Sequence, residues 1–317
     1  MKVLVTGASG LLGGHLVAAL SGRHQVVGID RHPWWGDRPA DVRVADLGAP
    51  GVIADMVPAL GPDVVIHCAG LVSVDACERD PALAYACNAG VTRTLARALR
   101  PECLFVYIAT DGIFNGDAPF ATEEQLPCPR TVYGRSKLQG EWEVALACRR
   151  HLIVRTNFYG WSSGRKQTAA EWLYRVLESG EAATLFTDFF YTPMYVVDFV
   201  ERLQLLIEGG HRGIVHLAGR DRVSKAQFAT LLAEAAGLSL EHVRWGSVED
   251  APLAAARPKD MSLSSEHFRR LTGANLPGCR AGLRRFVADR HCPLSARVEG
   301  RRELGRARRQ VLRAPRG

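Results

Sequence analysis

Lysine is scarce in this chain: five residues (2, 137, 166, 225 and 259) stand against 35 arginines. Long apolar runs are missing too, none approaching the ~20 residues that a bilayer-spanning helix needs. A single Lys2 precedes a strand-like stretch that leads straight into Gly7, so the N-terminus does not read as a signal peptide. None of the eight cysteines (68, 77, 87, 103, 128, 148, 279 and 292) forms a C-x-x-C pair, and no His/Cys group has zinc-ligand spacing. Reduced, buried thiols in a cytoplasmic enzyme without a metal are therefore expected. Basic charge is also absent from the body of the chain. The net +7 is carried by residues 290–317, which hold nine arginines and two glutamates, while the remainder sums to about zero. A neutral body with a basic, solvated or disordered tail argues against nucleic acid as a partner.

What is present is ordinary for a protein with a sizeable core: 47% hydrophobic and 23% charged residues in 317. Strand and helix patterns alternate over about the first 156 residues. Strands are predicted at Lys2–Thr6, Gln25–Ile29, Val42–Ala45, Asp63–Cys68, Cys103–Ala109 and His151–Thr156. Helices are predicted at Leu11–Leu20, Val52–Leu60 and Tyr133–Cys148, and a continuous one at Pro81–Arg100 with an apolar stripe of Leu83, Cys87, Val91, Leu95 and Ala98. This alternation predicts an α/β fold with a doubly wound parallel sheet over 1–156. A smaller, lid-like region over 157–289 follows, expected to serve substrate binding, from which segments of 190–220 can return to the sheet. There Ser224 and Gln227 form a capping box that opens a helix to Ala236, closed by Gly237.

Between the first strand and helix lies Gly7-Ala8-Ser9-Gly10-Leu11-Leu12-Gly13. In that context Gly7 permits the turn, Gly10 lets backbone N–H groups approach a pyrophosphate and Gly13 lets helix and strand pack closely. The helix N-terminus adds partial positive charge for the phosphates. Ser9, Leu11 and Leu12 belong to this dinucleotide loop. Asp30 ends the second strand, where a carboxylate meets the adenosine ribose of NADH; Arg31 beside it suits the 2′-phosphate of NADPH, so the choice stays open. Asp46 and Leu47 are candidates for the adenine edge. Tyr133 and Lys137 lie one helical turn apart on one face, so the ammonium is expected to lower the phenol pKa toward neutrality for general-acid work. A chain so biased to arginine keeps lysine where a compact ammonium is needed. Thr110 ends the fifth strand with its hydroxyl at the ligand edge. Asn88, a poor helix former in mid-helix and a cofactor-binding candidate, bonds backbone near the fourth strand, anchors a water or is a plain helix-surface amide. His67 reads as strand-end structure rather than a base, and Trp34 and Trp35 as loop packing.

Together these stretches resemble the extended short-chain dehydrogenase/reductase family. The resemblance spans Met1 to about Asp289 and is strongest with dTDP-4-dehydrorhamnose reductases and their sugar-nucleotide relatives. Beyond the glycine turn it is carried by His67-Cys68-Ala69-Gly70, Thr110-Asp111-Gly112-Ile113-Phe114-Asn115-Gly116, Val132 to Glu141, Val154-Arg155-Thr156, Thr192-Pro193 and Arg257-Pro258. It implies that Thr110, Tyr133 and Lys137 are catalytic, that Ala69 and Gly70 flank the nicotinamide ribose and that Lys137 also bonds it. Asp111, Phe114, Asn157 and Arg257 are then expected to contact substrate. Two stretches depart from the pattern: Asn157-Phe158 replaces a Ser-Trp pair, and Phe189-Phe190-Tyr191-Thr192 is unusually aromatic.

The implied activity is reduction of a keto group on a nucleotide-activated deoxysugar with NADPH or NADH. Expected partners are that small molecule and a second copy of the chain as a homodimer, with no membrane. A cofactor-retaining epimerase and a non-catalytic dinucleotide-binding subunit are the rival readings. Gly112 after Asp111 disfavours the dehydratase branch, which carries an acidic pair there.

Overall fold

The computed structural model describes residues 1–299; residues 300–317, which hold most of the basic tail, lie outside the described residues. Seven strands form one all-parallel sheet: β1 (Lys2–Thr6), β2 (Gln25–Asp30), β3 (Asp41–Val44), β4 (Val64–His67), β5 (Leu104–Ile108), β6 (His151–Arg155) and β7 (Gly213–His216). Their order is β7-β6-β5-β4-β1-β2-β3. The order reverses at β1, which pairs with both β2 and β4, so the loops after β1 and β4 open a crevice at the sheet's carboxyl edge. β7 comes from the distal half and pairs with β6 through Gly213↔Leu152 to His216↔Arg155.

Alternation along each strand builds two cores, because successive side chains point to opposite faces. Val3, Val5, Val64, Ile66, Val106 and Val154 pack on one face with α1 (Leu11–Leu20) and much of the distal half. Leu4, Val65, Phe105, Tyr107 and Ile153 pack on the other with α2 (Val52–Leu60).

The region after β4 differs from its reading. Instead of one helix over Pro81–Arg100 there are α3 (Val74–Arg79), α4 (Pro81–Tyr85), a π-turn (Ala86–Gly90) and α5 (Val91–Arg97). The buried side is also rotated from the apolar stripe. Leu83 is 49% exposed, whereas Ala84, Asn88, Thr92 and Leu95 are buried. Two of those four are polar, so an apolar stripe could not reveal them.

α6 (Val132–Ala147) carries Tyr133 and Lys137 and packs on α5. Beyond β6 follow α7 (Ala169–Ser179), α8 (Val196–Glu208), α9 (Lys225–Ala236), α10 (Glu266–Thr272), α11 (Cys279–Ala288) and α12 (Leu294–Glu299), with short strand pairs between them. The capping box of Ser224 and Gln227 and the left-handed Gly237 bound α9. Residues 290–299 are not a disordered start of the tail: α12 buries Leu294 and Val298 and packs on α1. Of the cysteines, 77, 103, 148 and 279 are buried but Cys128 is exposed; all eight are free thiols. Among the described residues no helix is long and apolar enough to cross a membrane.

Candidate active site

The glycine turn is shaped as a cradle. Gly7 has φ +67°, and a Cβ on it would sit 2.8 Å from the Ala69 backbone nitrogen. A Cβ on Gly13 would collide with the Gly7 carbonyl, and one on Gly10 would lie 3.1 Å from it. Gly10 is the N-cap of α1 and offers no side chain to it; the first turn contains no acidic residue. The leading N–H groups at Leu11 and Leu12 therefore await an external acceptor, which fits a pyrophosphate. Leu12 itself is core, 4% exposed.

Around the turn, Asp30 Oδ2 accepts from Ser9 N (2.9 Å) and Oδ1 from His32 N (2.9 Å). Its two oxygens thus shape the loop after β2. The Ser9 hydroxyl lies 2.9 Å from both the His32 and Pro33 carbonyls. Arg31 is exposed and has no ion-pair partner among the described residues. Asp46 Oδ1 accepts from Gly48 N (2.8 Å), and Leu47 is buried beneath it. Trp34 and Trp35 pack in the loop, their rings 6.2 Å apart.

Across the crevice, Asn88 holds the loop that carries Ala69 and Gly70 at the next residue, Leu71. Its Oδ1 accepts from Leu71 N (2.8 Å), and its Nδ2 donates to Leu71 O (3.0 Å) and Ser136 Oγ (3.0 Å). One amide thereby ties the loop after β4 to the helix of Tyr133. Of the alternatives for Asn88, the backbone bond is the one found, made from within the π-turn. His67 is spent on structure: its nitrogens face Thr6 Oγ1 (2.6 Å) and Thr92 Oγ1 (3.1 Å), and burial lowers its pKa to about 3.

Thr110, Tyr133 and Lys137 converge at the ends of β5 and α6. Thr131 caps α6 by accepting from Gly134 N (3.1 Å), which fixes where Tyr133 leaves the helix. The Thr110 hydroxyl donates to Asp111 Oδ1 (3.1 Å) and accepts from Gly112 N (3.1 Å). Burial pushes the Tyr133 phenol up to about 12; Thr110 beside it works the other way, and the Asp111 charge adds to the rise. The expected lowering by Lys137 is not found in the chain by itself. Lys137 Nζ instead donates to Ile108 O (2.7 Å) and stands 4.1 Å from the centroid of Tyr107. Burial lowers its pKa to about 8, with Glu141 opposing. Sequence reasoning missed the support behind it: Glu141 on α6 forms a buried pair with Arg155 of β6 (Oε2 to NH2 2.8 Å).

The expected substrate contacts divide. Asp111 is 3% exposed, accepts from Asn157 Nδ2 (2.7 Å), and burial raises its pKa to about 6. Phe114 is not a pocket residue: it is 2% exposed, packed edge-on to His216 with centroids 5.7 Å apart, because its segment turns into a small core with Leu138 and Leu263. Phe158 packs on Phe199, with ring centroids 5.4 Å apart. Arg257 is occupied by Asp75 at the start of α3 (2.8 Å) and by Ala255 O (3.0 Å), so it bridges the distal half to the wall of the crevice.

Comparisons with known proteins bear on the family and the fold. A dTDP-4-dehydrorhamnose reductase of Mycobacterium tuberculosis is 33% identical over 84% of this chain and 86% of its own length. A probable low-salt glycan biosynthesis reductase of Haloferax volcanii is 29% identical over 87% of this chain and 94% of its own. The crystal structure of a Bacillus anthracis dTDP-4-dehydrorhamnose reductase in complex with NADP superposes with a TM-score of 0.82 at 29% identity, covering 91% of this chain and 99% of that one. The family described as the RmlD substrate binding domain matches residues 1–292, so the chain belongs to that family, the sugar-nucleotide reductase branch of the extended short-chain dehydrogenases.

Proposed function

We propose that this protein is an NADPH-dependent reductase of a keto group on a dTDP-activated deoxysugar. One observation carries the reading: the uncapped, acid-free N-terminus of α1 opens onto the same sheet edge that gathers Thr110, Tyr133 and Lys137. The residues fit a dinucleotide, with the α1 turn for its pyrophosphate, Ala69 and Gly70 for a ribose wall and Lys137 for ribose hydroxyls. When bound, that group supplies the hydride. The chain supplies the proton: a phenol raised to about 12 is fully protonated at neutral pH and can give its Oη proton to the carbonyl oxygen. The phenolate left behind lies one turn from the Lys137 ammonium, whose remaining donors can stabilise it. Thr110 can turn its hydroxyl from Asp111 to the same oxygen.

NADPH is favoured over NADH because both Asp30 oxygens are engaged by backbone N–H groups while Arg31 stands free for a 2′-phosphate. The NADP bound by the Bacillus anthracis relative supports the same choice. Assembly as a homodimer belongs to this reading, with Trp142 and Leu146 of α6 exposed (59% and 86%) as a face for a second copy. The test is NADPH oxidation with dTDP-4-keto-6-deoxyhexoses. Tyr133→Phe should lose at least about a hundredfold in kcat while binding NADPH as before. Unaltered turnover in that variant, or cofactor returned without net consumption, would point to a non-catalytic or epimerase role.

A further inference from the structure

The reaction just described makes no use of Lys225 or of the aromatic run that faces it. The antiparallel register Val223↔Tyr191 and Ser224↔Phe190 folds the start of α9 back over that run. Lys225 N donates to Phe189 O (3.1 Å), which fixes the stem. Its Nζ then stands 3.6 Å from the centroid of Tyr191 and 5.2 Å from that of Phe189, both buried rings. Ring faces attract an ammonium but offer its N–H groups no lone pair. Among the described residues no oxygen accepts a hydrogen bond from this nitrogen, so three donors on a half-buried cation stay open. Lys259, by contrast, pairs with Asp188 and Glu249, and Lys137 has Ile108 O.

The position of Lys225 gives these donors a direction. Asp111, the neighbour of Thr110, interacts electrostatically with Lys225, yet its oxygens are taken by Thr110 and Asn157. The strand that follows the aromatic run lies beside Asn157, whose backbone oxygen accepts from Met194 N (3.0 Å) and whose Nδ2 donates to Asp111 (2.7 Å), so the seat of rings adjoins the Asp111 end of the site. A partly exposed ammonium with no protein acceptor can take a ligand oxygen in place of water at little cost.

We infer that Lys225 is a substrate-binding residue whose ammonium takes an anionic oxygen of the nucleotide sugar, in a seat made by Phe189 and Tyr191. The inference rests on the reductase reading for the location of the crevice. Two oxygens share the required chemistry, one from the diphosphate and one from a carboxylate on the sugar ring.

The test is equilibrium binding of dTDP, UDP-glucose and UDP-glucuronate to the NADPH-loaded full-length protein and to Lys225→Met and Lys225→Arg. Lys225→Met keeps the apolar stem, and Lys225→Gln is the second neutral variant should Met disturb the start of α9. The neutral variants should weaken binding of at least one of the three ligands at least tenfold and Lys225→Arg that same ligand by less than threefold, with the Kd for NADPH unchanged in all. An equal loss for UDP-glucose and UDP-glucuronate assigns the diphosphate; a loss confined to UDP-glucuronate assigns the carboxylate. Neutral variants that still hold NADPH and bind all three ligands with less than a tenfold loss would overturn the inference, as would a wild-type protein that binds none of the three. Turnover is not needed for this readout, so an inactive protein with Lys225-dependent binding would sink the reductase reading alone.

Discussion

Burial acts on Tyr133 and Lys137 in the same sense, favouring the neutral form of each, but the chemical consequences are opposite. For the phenol the neutral form is the acid, and at about 12 it is loaded throughout the working range. For Lys137 the neutral form is a lost cation. With a pKa lowered to about 8, its charge is present below that pH and disappears as pH rises through it. The value of kcat/KM should therefore fall above about pH 8. Lys225 is lowered to about 8 as well, so Lys225→Met is the control: the alkaline limb should survive in it if Lys137 is responsible. Asp111 is raised to about 6, so its carboxylate exists above that pH and is neutralised below it. Protonation removes the acceptor that orients Thr110 and Asn157, which gives an acid limb that Asp111→Asn should abolish. A kcat/KM profile flat from about pH 5 to about pH 9 would contradict both assignments. Arg31→Ala should raise the KM for NADPH about tenfold or more and leave that for NADH nearly unchanged, as expected for loss of a charge-assisted contact. Equal effects on the two cofactors would remove the 2′-phosphate from its role.

At the scale of elements, the π-turn is the part of the site with the most at stake. Asn88 is 1% exposed and makes three side-chain hydrogen bonds that join the loop after β4 to α6. Asn88→Ala would leave the Leu71 backbone groups unpaired and cost about 2–4 kcal/mol, by the penalty for orphaned buried polar groups. A thermal melt should show Tm lower by several degrees, together with a reduced kcat, because Ser136 adjoins Lys137. An unchanged Tm would mean water replaces the amide. This element also shows where sequence reasoning stops. β1, β4, β5 and α1 were legible since their apolar runs and glycine stops are local signals, and the Tyr133/Lys137 spacing follows from helix geometry alone. The break of Pro81–Arg100 was not legible, because what widens the turn at Asn88 is a set of bonds to residues 17 and 48 positions away. The buried Glu141–Arg155 pair and the open ammonium of Lys225 escaped for the same reason. The scarcity of lysine, which singled out Lys137, was an equally good pointer to Lys225.

For the whole molecule, the consequence that reaches furthest starts at the C-terminal end of the described chain. α12 is docked on the loop after β2 as well as on α1. Asp37 accepts from both Ser295 N (2.9 Å) and Ser295 Oγ (2.5 Å), and Arg38 grips Glu299 through two nitrogens (2.5 and 2.9 Å). The same loop is tied at its other end to the glycine turn through Ser9 and the His32 and Pro33 carbonyls. A C-terminal helix thus braces the segment that carries Arg31, and its hold is more than polar. Leu294 and Val298 are buried, each contributing about 1.5–3 kcal/mol by area. Removal of residues 294–317 should lower Tm and weaken NADPH binding several-fold, since the loop would lose its outer anchor while Ser9 keeps the inner one. Removal of 300–317 alone should leave both unchanged, because every anchoring residue named lies before it. Titration of NADPH against the two truncated proteins distinguishes these outcomes. Full affinity in the shorter protein would show that Ser9 holds the loop unaided.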